Sequence, residues 1–234
     1  MESSFKFKQF TVINGKSGLK VGTDGVLLGA ATTVNGDEKR ILDIGTGTGV
    51  IALMLAQRNA SAHITGIDIE EEVTAGENFA SSPWADRLEY ANISLGYYAD
   101  SGQGLFDLIV SNPPYYDDSL LCPDRTRSEA RHTESLSYRE VITFANDFLS
   151  EDGRVAVITP KSEETRLNRF AASFGFFPIR AISVRTTAAK APLRLISEFS
   201  RHRSKTSAEV LTISDGDGYT SEYKELTKDF YLNF

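Results

Sequence analysis

Short runs of β-branched and aliphatic residues alternate along this chain with longer stretches whose apolar positions recur at helical spacing. Ile41–Ile44, His63–Asp68, Leu88–Ile93, Phe106–Val110 and Val155–Thr159 read as strands, and Val50–Asn59, Glu70–Ser81 and Tyr138–Leu149 as the helices between them. Lys161–Phe174 predicts a further helix. Beyond it, Pro178–Arg185 and Arg194–Phe199 lie close enough in sequence to pair as an antiparallel ribbon, Ala208–Ile213 is another strand candidate, and Ser221–Tyr231 a terminal helix. This strand–helix–strand rhythm predicts an α/β protein, a parallel sheet with helices on both faces.

Two stretches depart from the rhythm. In Phe5–Ala30, Thr23 or Asp24 is expected to cap a helix beginning at Gly25. Tyr116–Thr133 is a polar segment of about 18 residues, long for an inert connection, and suggests a substrate loop.

The 234 residues, 41% hydrophobic and 24% charged, have the composition of a water-soluble globular protein organised around one core. No apolar run approaches the roughly 20 residues of a bilayer span, and the N-terminus lacks the features of a secretory signal. The single cysteine, Cys122, excludes an internal disulfide and a cysteine-based zinc cluster, and cytoplasmic residence is expected. His63, His132 and His202 are far apart and without ligand spacing, so no metal is expected.

The net charge of -7 argues against a nucleic-acid partner until its distribution is considered. Between Arg154 and Lys205, 11 basic residues face 3 acidic ones, which leaves the remainder strongly acidic. A basic face on an acidic body is compatible with RNA binding; a solvated charged surface is equally so.

The first chemical signal is Asp43-Ile44-Gly45-Thr46-Gly47-Thr48-Gly49, at the end of the first of these strands. Alternating glycines permit a tight turn and close approach of backbone to a ligand, and the next helix offers its N-terminal N–H groups. Asp68, at the end of the following strand, is placed to accept hydrogen bonds from both hydroxyls of an adenosine ribose. A dinucleotide site shares this plan, but its fingerprint is G-x-G-x-x-G/A, and Val50 stands where the last small residue belongs. Asp43 would repel a pyrophosphate, whereas it can help hold the ammonium of an amino-acid ligand. The cofactor expected is therefore S-adenosylmethionine, bound by Asp43, Gly45, Thr46, Gly47, Gly49, Asp68, Ile69, Asn92 and Ile93, with Asn92-Ile93 recognising the adenine ring.

The second signal is Asn112-Pro113-Pro114-Tyr115, directly after a strand. Two prolines fix a rigid extended turn that overhangs the ligand crevice. An amino group conjugated to a ring, or an amide nitrogen, is a poor nucleophile because its lone pair is delocalised. The side-chain oxygen of Asn112 and the carbonyl of Pro113 can accept its two N–H groups and turn the lone pair toward a methyl carbon, while Tyr115 stacks on the planar target. Positioning then supplies most of the catalysis, and Asn112 is a positioning acceptor, not a base. Trp84 reads as packing, and Cys122 has no evident partner base.

With these motifs the chain resembles the class I S-adenosylmethionine-dependent methyltransferases that carry an (N/D)PPY motif. More closely it is similar to the bacterial tRNA1(Val) adenine-37 N6-methyltransferase family, through Phe7-Lys8-Gln9-Phe10, the segment Lys20–Gly29, Ala130–Glu134 and the ending Leu226–Tyr231. The resemblance implies a Rossmann-like fold with a seven-stranded, mostly parallel sheet, tRNA as substrate, and methylation of the adenine beside the anticodon. Asn92 departs from the commoner acidic residue. One methyltransferase domain over 1–234 is expected, with 1–40 as an extension available to cover substrate or cofactor. Arg125, Arg127 and Arg131 on the long loop, with Lys6 and Lys8, are the candidates for gripping RNA, and the Arg180–Lys205 cluster is a further one. The rival readings are a protein glutamine N5-methyltransferase, which usually carries a helical domain ahead of its cofactor motif, a ribosomal RNA guanine-N2 methyltransferase, and an RNA-binding module with a relic cofactor pocket.

Overall fold

The computed structural model describes residues 3–15, 20–70, 73–115 and 136–233. At the centre lies a sheet assembled from β3 (Arg40–Ile44), β4 (His63–Asp68), β5 (Leu88–Asn92), β6 (Phe106–Ser111), β7 (Leu149–Pro160), β8 (Phe177–Thr187), β9 (Arg194–Ser200) and β10 (Ser207–Ser214). Their spatial order is β10-β8-β9-β7-β6-β3-β4-β5. Pairing is parallel from β5 through β7, antiparallel on both sides of β9, and parallel again between β8 and β10. The expected ribbon is present as β8 and β9, with β9 inserted between β7 and β8. The sheet has one strand more than the expected seven because β10 adds to the outer edge of β8, in register from Ser207↔Arg180 to Ser214↔Thr187.

The central strands β3, β6 and the Val155–Ile158 part of β7 are buried on both faces, so their runs are mostly apolar. Alternate residues serve opposite layers. Ile41, Leu108, Val110, Ala156 and Ile158 enter one core, beneath α1 (Thr23–Ala31) and α2 (Val50–Arg58). Leu42, Ile109, Val155 and Val157 enter the other, beneath α5 (Tyr138–Phe148) and α6 (Glu164–Ser173). Two short helices, α3 (Ala75–Ala80) and α4 (Leu95–Asp100), flank β5 in sequence, and α7 (Ser221–Thr227) follows β10.

Three boundaries differ from the sequence pattern for identifiable reasons. The helix expected over Glu70–Ser81 begins at Ala75, because the turn after β4 is held by Asp68 and Asn92 instead of entering a helix. The terminal helix stops at Thr227, and the chain continues into a bridge between Tyr231 and Phe7. Helix α1 begins at Thr23 with Gly22 as its N-cap and no side-chain cap, so neither Thr23 nor Asp24 performs the expected capping.

The N-terminal residues form a hairpin of β1 (Ser4–Lys6) and β2 (Thr11–Ile13), which has no clear sequence signature. Its aromatic residues anchor it: the Phe7 ring stacks 4.5 Å from that of Phe10, and Phe10 meets Trp84 edge-on at 5.7 Å. Trp84 thus packs, as its sequence context suggested. Asn78 ties the hairpin to α3 by accepting from the Ile13 N–H at 2.8 Å and donating to the Ile13 carbonyl at 3.0 Å.

Candidate active site

The connections β3–β4–β5 and β6–β7 leave the first central strand in opposite directions, so the crevice between β3 and β6 is where a ligand is expected in an open α/β sheet. Ile44 of β3 pairs with Ser111 of β6, and the Ser111 hydroxyl donates to the Ile44 carbonyl at 2.8 Å. The next residue of each strand therefore opens one motif: Gly45 begins the glycine turn and Asn112 the proline corner. Neighbouring strands lie about 4.8 Å apart, so the two motifs emerge side by side.

Gly45, Gly47 and Gly49 adopt φ of +71°, +53° and +78°, backbone that side-chain-bearing residues rarely take. At Gly49, the N-cap of α2, an added Cβ would also lie 2.5 Å from Cε1 of Phe79. The turn is braced from both sides. Asp68 Oδ2 accepts from the Gly47 N–H at 2.8 Å, and its Oδ1 accepts from the Glu70 N–H at 3.0 Å. The Thr46 hydroxyl donates to Asp43 Oδ2 at 2.7 Å.

Asp43 is fully buried, and among the described residues its Oδ1 has no hydrogen-bond partner. Burial, with a small contribution from nearby Asp68 and against the lowering effect of the Thr46 hydroxyl and the Ala52 backbone, raises its carboxyl pKa to about 7. A cationic ligand beside it would supply the missing partner.

A cleft opens at the carboxyl ends of β3, β4 and β5, lined by Gly45, Asp68, Ile69, Ile93, Ser94 and Leu95, with Leu136 and Glu140 closing it from the segment that enters α5. Ile69, at 44% exposure, presents an accessible apolar surface there. This set fits an adenosine-bearing amino-acid cofactor: a carboxylate for the ribose, aliphatic surfaces for a flat base, and a buried acid near the glycine turn.

Asn92 stands differently from Ile93. Its Nδ2 donates to the carbonyls of Asp68 at 3.1 Å and Glu70 at 3.0 Å, and it does not line the cleft. It thereby fixes the turn that carries Asp68 and Ile69. Ser94, Leu95, Leu136 and Glu140 join the cleft without a sequence motif that marks them. Ser94 caps α4, whose internal Gly96 and six-residue length conceal it from periodicity.

Asn112 is half-buried, Pro113 buried and Tyr115 38% exposed. The Tyr115 hydroxyl lies 2.9 Å from Asp24 Oδ2 and 3.2 Å from Asn112 Oδ1. Arg194 Nε donates to the same Asp24 oxygen at 2.8 Å, and its guanidinium sits 4.7 Å from the centre of the Tyr115 ring. Asp24 and Arg194 are thus part of the site.

The RNA candidates divide. Arg125, Arg127 and Arg131 lie outside the described residues. Lys8 donates through Nζ to the Lys228 carbonyl at 2.5 Å, Lys6 is exposed on β1, and neither lines the cleft. Within the linear basic cluster, Arg154 pairs with Glu38, Arg180 with Glu198 and Glu209, and Arg194 with Asp24. Among the described residues, no group of three or more His, Cys, Asp or Glu side chains is placed to hold a metal ion.

The sheet order, the glycine turn and the adjoining proline corner define a Rossmann-like methyltransferase, and residues 13–178 match the family model of the Methyltransferase small domain. The fold is similar to that of a predicted O-methyltransferase from Agrobacterium tumefaciens, with a TM-score of 0.67 at 16% identity over 88% of this chain and 96% of that one. It is also similar to P. horikoshii TYW2 in complex with MeSAdo, with a TM-score of 0.56 at 12% identity over 85% and 70% of the two chains.

In sequence the chain is 43% identical to a tRNA1(Val) (adenine(37)-N6)-methyltransferase of Bacteroides thetaiotaomicron over 98% of this chain and 97% of that protein. It is 40% identical to that of Trichodesmium erythraeum over 99% of each chain. The chain belongs to the tRNA1(Val) (adenine(37)-N6)-methyltransferase family.

Proposed function

We propose that this protein transfers a methyl group from S-adenosylmethionine to N6 of adenine 37 in tRNA1(Val). The observation that carries this reading is the Ile44↔Ser111 register, which sets the glycine turn and the proline corner side by side at one sheet edge. When bound, the cofactor supplies an electrophilic methyl carbon on a sulfonium. Asp68 would hold its ribose, Ile69 and Ile93 its base, and Asp43 its ammonium end.

The chain's own contribution is orientation. Asn112 Oδ1 and the Pro113 carbonyl accept the two N–H groups of the target and so direct the nitrogen lone pair, with Tyr115 supporting the purine from one face. A second adenine face remains for other contacts. The nitrogen becomes acidic once methylated, and its proton leaves to water, the two amide oxygens acting only as hydrogen-bond acceptors. An adenine in the single-stranded anticodon loop needs little unpairing, so modest binding energy suffices to expose it. A tRNA substrate implies cytoplasmic work, and no helix among the described residues is long and apolar enough to cross a membrane.

The test is to incubate the protein and labelled cofactor with unmodified tRNA, ribosomal RNA and release factors, and to map the label. Label at adenine 37 is expected; label elsewhere, or none, overturns the reading. In the same assay Asn112→Ala should lower kcat by about a hundredfold or more while leaving cofactor Kd within about threefold. An equal loss of both would remove Asn112 from its assigned role.

A further inference from the structure

Three oxygen atoms meet at the proline corner, and two of them compete for the proton of the third, the Tyr115 hydroxyl. The Tyr115 hydroxyl has two acceptors within reach, Asp24 Oδ2 at 2.9 Å and Asn112 Oδ1 at 3.2 Å, and a phenol can donate to only one of them fully. The nearer acceptor is also a carboxylate, and hydrogen bonds to an ionised acceptor are shorter and about twice as strong as neutral ones. Asp24 is itself held in place: Arg194 Nε donates to the same oxygen at 2.8 Å, while the guanidinium covers one face of the Tyr115 ring at 4.7 Å.

Asp24 is free for this contact because α1 is capped without it. It stands in the first turn behind Gly22, with no side-chain capping bond at that end. The four residues come from distant parts of the chain, α1, the turn after β6 and the start of β9, so local sequence does not force their convergence. Burial and the Asp24 carboxylate raise the Tyr115 hydroxyl well above its ordinary pKa, which keeps it a neutral donor.

We infer that Asp24, fixed by Arg194, is a positioning residue that draws the Tyr115 hydroxyl proton to itself and so leaves Asn112 Oδ1 available to the target amino group. The inference rests on the role of Asn112 given under the proposed function. Without Asp24, the phenol proton turns to Asn112 Oδ1, which becomes a poorer acceptor for the substrate nitrogen. The same arrangement leaves only the uncovered face of the Tyr115 ring for a planar target.

A double-mutant cycle tests this, with kcat, KM for tRNA, cofactor Kd and thermal melting measured for the wild type, Asp24→Ala, Tyr115→Phe and the combined variant. Asp24→Ala is expected to lower kcat by about tenfold or more in the Tyr115 protein and by less than about twofold in the Tyr115→Phe background, because the competing proton is then gone. Cofactor Kd should stay within about threefold. Multiplicative losses in the combined variant, or an Asp24→Ala protein with wild-type kcat, overturn the inference, since a purely structural role gives no rescue. If Asp24→Ala does not fold, Asp24→Asn carries the same cycle with the same sign. The position methylated is read from the wild type alone, and the coupling from whichever acceptor the wild type methylates, so the two readings fail separately.

Discussion

The backbone N–H of Gly47 donates to Oδ2 of Asp68 at 2.8 Å, which joins the glycine turn after β3 to the acid at the end of β4. The other carboxylate oxygen accepts from the Glu70 N–H, so two backbone donors fix the plane of the group. Each oxygen keeps a further lone pair, and these are the pairs a ribose diol would engage. The acid thus has two tasks, bracing the turn and receiving the cofactor.

Both tasks bear on binding more than on the chemical step. Asp68→Ala removes a charged acceptor whose hydrogen bonds are worth roughly 1.5–3 kcal/mol each. Cofactor Kd should rise about ten- to a hundredfold, while kcat at saturating cofactor changes far less. Calorimetric titration with S-adenosylmethionine reads this directly, and an unchanged Kd would sink the assignment.

Asp43 makes a prediction about pH. Its folded pKa of about 7 lies above its ordinary value of 3.8, so between those limits the folded protein binds more protons than the unfolded chain. Stability associated with this group is present in full below about pH 4 and is lost as pH rises through about 7. Asp43→Asn should flatten that slope, which amounts to at most about 4 kcal/mol at 1.36 kcal/mol per pKa unit. A cationic cofactor group favours the charged carboxylate, so cofactor affinity of the wild type should increase across the same window and that of the variant should not. Thermal melts and calorimetry between pH 5 and pH 8 check both; parallel profiles for the two proteins would place the titration elsewhere.

The parts of this site that sequence revealed are those in which local backbone demands dictate residue type. Gly45, Gly47 and Gly49 take left-handed conformations, Pro113 and Pro114 stiffen a corner, and β3 and β6 are apolar because helices cover both of their faces. Asp24 and Arg194 act through a convergence that only tertiary structure creates, and no spacing rule links positions so far apart. Helix α4 and the β1–β2 hairpin are too short and too irregular in pattern to register. Asn92 was visible as a polar residue at a strand end, yet what its amide touches depends on the path of the neighbouring turn.

The fold also separates charges that are neighbours in sequence. The run from Arg154 to Lys205 is basic in sequence, but β9 is antiparallel to β7 and carries the chain away from the catalytic edge. Arg194 pairs with Pro160 at the carboxyl end of β7, whereas Phe199 pairs with Val155. Six residues of strand at about 3.3 Å each put Arg201–Lys205 roughly 20 Å from the Arg194 end. Arg203 and Lys205 are exposed there, with the Arg203 guanidinium 4.2 Å over the Phe177 ring. Arg203→Glu combined with Lys205→Glu should therefore leave KM for tRNA within about twofold and the salt dependence of binding unaltered, because phosphates gripped at the catalytic edge release the same number of counterions as before. A weaker complex with a shallower salt slope would show that the RNA extends over the opposite edge of the sheet.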